Sequence, residues 1–540
     1  MGIRVSSLLS SGMVIQRDKP FTVKGEAAPL AEVSVDFAEH HYDTQCDKEG
    51  RFSATLGSFS ANSRPQSLKI TSGEDTLTIS NIVIGDVWLL AGQSNMELWL
   101  SRTAHNYPDS ITDDDPLIRQ FAVPQVPKFD GPRDSLDLSE SQWQELSERT
   151  APGFSAVGYF LAKQLRKRYE VPVGLIATAV GGTPIAAWLN GEVAAASGID
   201  LTVAKQCADS SYVANMEKSE SAATAAYMEN LNNSDLGLSG NWAAPEYDAS
   251  DWESAELTDY ALGSGSHWYR KTIPVPADLG DTKAEIYLGT AIDMDEIFIN
   301  GDKVGTTYYR YPPRLYSFIL PKDTVTIAVR LLAFSGGGEF TPGKNRFIAT
   351  ELGTLSLDGP WRRRTGALVD NAPSTTFIRN YPTGLYNGMI APLAGIQLRG
   401  IAWYQGESDT GNPAGYSERL AALITSWREL FDDSELPFLI QQLAHWDHTG
   451  PGGSDAEHQN RWEQLRLEQK RVLELPYVGL SGGYDVGEWN DLHPQGKQIV
   501  GERLARLAQR LAYREKLPPN MFEQFSLNRK AGVLDDSATV

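Results

Sequence analysis

Cysteine is scarce in this chain: only Cys46 and Cys207 occur among 540 residues, with neither metal-ligand spacing nor a disulfide framework. Two unpaired thiols suit a reducing compartment. Long hydrophobic runs are also missing, and no window approaches the ~18 consecutive apolar residues of a membrane-spanning helix. The opening "MGIRVSSLLSSGMVIQRDKP" scatters serines through its apolar residues and makes a poor signal peptide. As it stands, the sequence predicts a cytoplasmic protein, or a periplasmic or secreted one if a signal has been removed. Basic charge is in deficit, with 48 Lys and Arg against 69 Asp and Glu, a net charge of −21. Such a surface repels nucleic acid phosphates and anionic lipid, so neither nucleic acid nor a membrane is expected as a partner, and a polyanionic substrate is disfavoured. Internal repeats and low-complexity segments are absent. The 41% apolar and 22% charged residues have the balance of a folded chain long enough for roughly three domains.

The texture changes along the chain. Residues 1–81 read as short alternating strands ("FTVKGEA", "AEVSVDFA", "RFSATLG", "SLKITS") between Gly, Pro and Asp turns, the pattern of a small β-sandwich. From Ile82, "IVIGDVWLLAG" and "VPVGLIATAVGG" are near-continuous apolar runs, as parallel strands buried on both faces require. Between them "FSAVGYFLAKQLRKRYE" has helical spacing. The alternation resumes later with "LRGIAWYQGES", "LPFLIQQLA" and "LPYVGLSGG" among helical segments, so 82–235 and 366–520 predict one α/β layer structure in two parts. Residues 236–365 differ: alternating strands, a hairpin signature at Asn300-Gly301 and no helix pattern predict an inserted second β-sandwich. Residues 521–540 read as a loose tail.

Four strand-end motifs hold the chemistry. In "LLAGQSNMELWL" an apolar run stops at Gly92 and presents Gln93, Ser94 and Asn95. Ser94 there either caps the next helix or attacks a carbonyl, its own N–H helping to hold the oxyanion. "NDLHP" puts Asp491 two residues before His493, ahead of a helix with Pro494 in its first turn; Asp491 either caps that helix or orients the imidazole. "WYQGESD" offers Gln405 as an amide donor to an oxyanion, with the carboxylate of Glu407 beside it. "AVGGTPIAAW" offers Gly181 or Gly182, whose N–H groups at a strand-end turn suit the same task. All four converge on the carboxyl edge of one sheet, where α/β folds place their sites. His445 and His448 have i, i+3 spacing but no obvious third ligand, so no metal is expected. Trp242, Trp252 and Trp268 form either a sugar-stacking face or core, Asn387 either lines an acyl pocket or holds a turn, and the basic run at 361–366 reads as a solvated loop.

"GQSNM", "GGTPIAAW", "YNGMIAPL", "WYQGESD" and "NDLHP", in this order, resemble the sialate O-acetylesterase family of SGNH/GDSL-type hydrolases and related xylan or xyloglucan acetylesterases. The resemblance covers nearly the whole chain. It implies a three-layer α/β/α domain with a parallel sheet, an N-terminal β-sandwich and an inserted jelly roll of galactose-binding-like type. Ser94 would be the nucleophile, His493 the general base and then acid, and Asp491 its orienting partner. The oxyanion hole would comprise the Ser94 N–H, the Gly181 N–H and the Gln405 side chain. The substrate would be an acetylated sugar or oligosaccharide and no cofactor is implied. Two departures stand out: the wider group usually has Asp three residues before His, and Asn in place of Gln405. They leave Glu407 as an alternative acid and Asp485 as a weaker one. An inert carbohydrate-binding protein, or an esterase of broader acyl specificity, is the rival reading.

Overall fold

Trp88, Leu89 and Leu90 are all fully buried, although they point alternately to the two faces of one strand. The computed structural model, which describes residues 2–136, 141–447 and 455–527, shows why. They lie in β1, Asp75–Gly92, the central member of a sheet. The other strands of this row are β2 (Asp115–Ala122), β3 (Trp143–Leu146), β4 (Val173–Ala177), β5 (Gly400–Tyr404), β6 (Phe438–Gln441), β7 (Val478–Ser481) and β8 (Glu523–Ser526). Their order is β3-β2-β4-β1-β5-β6-β7-β8. The six strands from β2 to β7 run parallel, and β3 and β8 close the edges antiparallel. The chain moves from β1 outward to β2, returns through β4, and then crosses to β5 on the other flank. The order therefore switches at β1, which opens a crevice at its carboxyl end.

Helices cover this sheet because alternate strand residues need apolar partners on each side. They include α1 (Ser94–Glu97), α2 (Ala156–Tyr169), α3 (Tyr416–Leu430), α4 (Ala456–Arg471) and α5 (Lys497–Leu511). Ala402 and Tyr404 of β5 join Leu161 and Leu165 of α2 and Leu504 and Leu507 of α5 in one core. Trp403, between them, meets Trp188 at 6.2 Å and Trp427 of α3 at 5.8 Å between ring centroids. Each fully buried Leu of this kind contributes about 1.5–3 kcal/mol of burial energy. At the start of α2, Ser155 Oγ accepts the Gly158 N–H at 3.1 Å, a side-chain cap on the first turn.

Two expectations about the ends of the chain are corrected. The N-terminal strands are not separated from the α/β part at residue 81. Asn62–Ser72 pairs antiparallel with the first half of β1, and Val14–Gln16 pairs parallel with it at Val83–Gly85. One 18-residue strand thus serves both regions. Residues 521–540 are not all tail: β8 pairs with β7, and buried Glu523 takes the guanidinium groups of Arg506 and Arg510 of α5. Residues 528–540 lie outside the described residues.

By its contacts the chain forms two compact units. One comprises Met1–Ser210, Phe377–Glu488 and His493–Val540; the other comprises Ser211–Thr376 and Trp489–Leu492. The second is wider than the expected 236–365, because most of the helix Ser210–Ser234 belongs to it. Its antiparallel sheets have six and four main strands around a shared core that includes Tyr269, Ile286, Ile297, Val329 and Ile348. Asn300 and Gly301, at φ 47° and 92°, turn the hairpin between Met294–Ile299 and Asp302–Thr307. Trp242, Trp252 and Trp268 are 6%, 2% and 1% exposed and pack edge to face, so they are core. The basic run is not a loop: it lies in the strand Trp361–Leu368, with Arg363 on Glu253 and Arg364 on Asp251.

Candidate active site

Gly92 ends β1 at φ 132°, and a Cβ there would lie 2.1 Å from the Tyr404 carbonyl oxygen of β5. Only glycine lets the two strands stay this close while the chain turns out of the sheet. The next three side chains then reach partners distant in sequence. Gln93, buried, accepts the N–H groups of Gly406 and Ser408 on Oε1, each at 3.2 Å. Ser94 Oγ lies 2.8 Å from His493 Nε2. Asn95 donates to Glu407 Oε1 at 2.5 Å and accepts from Lys497 Nζ at 2.5 Å. Three polar residues follow a core strand because they tie its end to two distant segments: Gln93 and Asn95 hold the 406–408 turn, and Ser94 and Asn95 hold His493 and Lys497.

Ser94 is the first residue of α1, and the N-cap position belongs to Gln93, whose side chain makes no cap bond. The capping role is therefore not what Ser94 does. As a first helical residue it has no acceptor within the turn for its N–H. Since α1 has only four residues, it supplies little helix dipole to the site. Gly181 stands beside Ser94: a Cβ on it would lie 3.4 Å from Ser94 Cβ. Its N–H donates to Glu97 Oε2 at 2.6 Å, and Glu97 Oε1 accepts from Gln125 Nε2 at 2.7 Å.

His493 is buried, and its imidazole is lowered to about 3, first by burial and then by the charges of Lys497 and Arg102. The ring is neutral at ordinary pH, the form that can accept a proton from a hydroxyl. The helix expected from Pro494 begins later, at Lys497 with Gly496 in the cap position, so Asp491 does not cap it. Asp491 is buried and accepts from Lys344 Nζ at 3.1 Å; both residues belong to the second unit.

Gln405 does not stand as expected. It is fully buried, and its Nε2 faces Asp409 Oδ2 at 2.6 Å, the Thr183 carbonyl at 3.1 Å and Gln93 Oε1 at 3.3 Å. Both amide hydrogens are engaged, so in this arrangement neither is offered to an oxyanion. Burial raises the Asp409 carboxyl, and Asp409 Oδ2 also accepts the Ile185 N–H at 2.9 Å. Glu407, the alternative acid, bonds Asn95 rather than the imidazole, and burial pushes its carboxyl up. Asp485 is bound to Arg503 through both oxygens, at 2.8 and 2.6 Å. Asn387 donates to the Lys128 carbonyl at 3.0 Å and accepts the Arg133 N–H on its own carbonyl, so it ties two segments together. His445 lines a cavity of about 460 Å³ with Trp446, Arg466 and Tyr484, whereas His448 lies outside the described residues. Among the described residues no group of three or more His, Cys, Asp or Glu is placed to hold a metal ion.

Glu97 and Lys497 escaped the sequence reading, which named Asn95 without a role. Lys497 lies four residues after His493 and Glu97 three after Ser94, so proximity to the reactive pair was the available signal.

The profile of the carbohydrate esterase, sialic acid-specific acetylesterase family matches residues 84–225 and 357–510, more than half of the chain. Human sialate O-acetylesterase is 33% identical over 145 residues, 24% of this chain and 28% of that protein. The mouse sialate O-acetylesterase is 30% identical over 164 residues, 28% of this chain and 29% of its own length. These matches thus span less than a third of the curated relatives. Among solved structures, a novel carbohydrate acetylesterase from Xanthomonas citri aligns over 95% of this chain and 76% of its own, at 23% identity and a TM-score of 0.58. That likeness concerns the mixed α/β fold. On this profile match the chain belongs to the sialic acid-specific acetylesterase family of carbohydrate esterases.

Proposed function

We propose that the protein is a carbohydrate O-acetylesterase that works through an acyl-enzyme on Ser94. The observation that carries this reading is the 2.8 Å approach of a neutral, buried imidazole to the Ser94 hydroxyl at a switch-point crevice. Ser94 Oγ attacks the acetyl carbonyl as His493 Nε2 takes its proton. The resulting oxyanion is held by the backbone N–H groups of Ser94 and Gly181. His493 then returns the proton to the departing sugar oxygen, leaving acetyl-Ser94 and the sugar alcohol. Water repeats the sequence and releases acetate and the free enzyme. Asp491, two residues before His493, is the orienting acid in this scheme. None of these steps requires a cofactor.

In this reading the first unit is an SGNH hydrolase domain with α/β/α layers, and the β-rich unit is a jelly roll of galactose-binding-like type. The substrate is an acetyl ester on a sugar, either sialic acid or a plant polysaccharide such as xylan or xyloglucan. Hydrolysis of 4-nitrophenyl acetate tests the chemistry: Ser94→Ala is expected to lower kcat by about 10⁴-fold or more. Equal rates in variant and wild type would leave an inert sugar-binding protein instead. Equal cleavage of acetyl and long-chain esters would point to a broad esterase. Acetate release compared across acetylated xylan, acetylated xyloglucan and O-acetyl sialic acid identifies the sugar.

A further inference from the structure

The Gly181 N–H has a resident acceptor. Glu97 Oε2 sits on it at 2.6 Å, one turn after the nucleophile, and a Cβ on Gly181 would lie 3.0 Å from that oxygen and 3.4 Å from Ser94 Cβ. A carboxylate therefore holds the donor that the acyl oxygen needs. Among the described residues the other hydrogen bond of Glu97 is from the neutral amide of exposed Gln125, at 2.7 Å. No cation pairs with it among the described residues, unlike Asp485 on Arg503 or Asp86 on Arg17 and Arg399. An anion held by two neutral N–H groups at a half-buried position can exchange partners, provided new donors replace those it leaves.

From this arrangement we propose that Glu97 is a specificity-determining residue: it covers the Gly181 N–H until a hydroxyl of the sugar draws its carboxylate away. The inference rests on the esterase reading and deepens it. A sugar ester brings hydroxyls next to the acetylated oxygen, and these donate to Glu97 as the acyl oxygen takes the vacated N–H. An ester without hydroxyls offers no such exchange, so its oxyanion competes with a resident carboxylate for one donor. Binding energy from a part of the substrate that does not react is thus used to complete the oxyanion hole. No bond other than hydrogen bonds changes in this step. Glu97 thereby selects polyhydroxy substrates over simple acetates without touching the scissile bond.

The test compares wild type and Glu97→Ala on 4-nitrophenyl acetate, which has no hydroxyl, and on whichever acetylated sugar wild type cleaves fastest. Removing the carboxylate is expected to raise kcat/KM for 4-nitrophenyl acetate about threefold or more, and to lower the ratio of sugar ester to simple ester about tenfold. A simple-ester rate that is unchanged or reduced overturns the inference, as does a gain shared equally by both substrates. If Glu97→Ala does not fold, Glu97→Gln is read by the same ratio, with thermal unfolding checked against wild type. Failure of the esterase reading itself looks different: Ser94→Ala would then match wild type on 4-nitrophenyl acetate, whatever Glu97 does.

Discussion

A hydroxyl becomes a nucleophile only if a neutral base lies within reach, and at His493 the surroundings decide which form is present. Unfolded, the imidazole takes up a proton near 6.5; folded, it stays neutral down to about 3, through burial first and then Lys497 and Arg102. Between these values the unfolded chain holds the extra proton. The stabilising contribution of neutral His493 is therefore complete above about pH 6.5 and declines as pH falls toward 3. For catalysis the same sign places the acid limb of kcat/KM below the ordinary imidazole value. Lys497→Met removes one of the charges that hold the ring neutral, so the limb should move upward by about half a unit or more. A pH–rate profile for the two proteins checks this; an unmoved or lowered limb refutes it. The chemistry at this scale was partly legible: Ser94, His493 and Gly181 stood out by type and position. The acceptors that take the Gly181 N–H and the Gln405 amide were not, because side-chain direction at a strand end depends on which loop docks beside it.

Strands and helices were more readable than their ends. The apolar runs around Val87, Leu175, Ile401, Leu439 and Leu480 predict buried parallel strands, since a strand covered on both faces has no solvent side to make polar. Boundaries followed other rules. Pro494 suggested a first helical turn, yet α5 starts at Lys497 and residues 491–496 form an irregular approach to it. The β1 terminus shows how an element positions a residue. Gly92→Ala would put a methyl group 2.1 Å from the Tyr404 carbonyl in a backbone region that L residues rarely adopt. The variant should lose more than about 2 kcal/mol, read as a lower urea midpoint at unchanged slope. Its activity should fall too, because β1 and β5 must separate and Ser94 moves with β1. An unchanged midpoint would mean that the strand crossing is not fixed by this glycine.

At the scale of the whole chain, residues far apart in sequence meet at Asp86. This buried carboxylate accepts from Arg17 Nε at 2.9 Å, Arg399 Nε at 3.0 Å and Tyr513 Oη at 2.7 Å. Burial alone would raise its pKa, but the Arg17 hydrogen bond and the Arg399 and Arg17 charges hold it below the usual carboxylate range. Its contribution is therefore present above the unfolded value of 3.8 and is lost as pH falls through the lower folded value. Asp86→Asn leaves two guanidinium groups facing a neutral amide, and should cost about 3–5 kcal/mol in chemical denaturation at pH 7. The gap to wild type should narrow in acid below the carboxylate range. A variant as stable as wild type at pH 7 would show that the clamp is neutral overall.

The sequence by itself determined the alternation of β and α/β stretches, the buried strands and the reactive residue types at their ends. Hydrophobic period and turn residues are local properties, read within a window of about 11–18 positions. Only the tertiary structure decided that β1 runs continuously from the N-terminal strands into the parallel sheet and that β8 adds an edge strand from the expected tail. It also decided that Asp409 and Thr183 take the Gln405 amide, and that Glu97 rests on Gly181. Each of these depends on which elements lie side by side, and docking of surfaces hundreds of residues apart leaves no periodic trace in the chain.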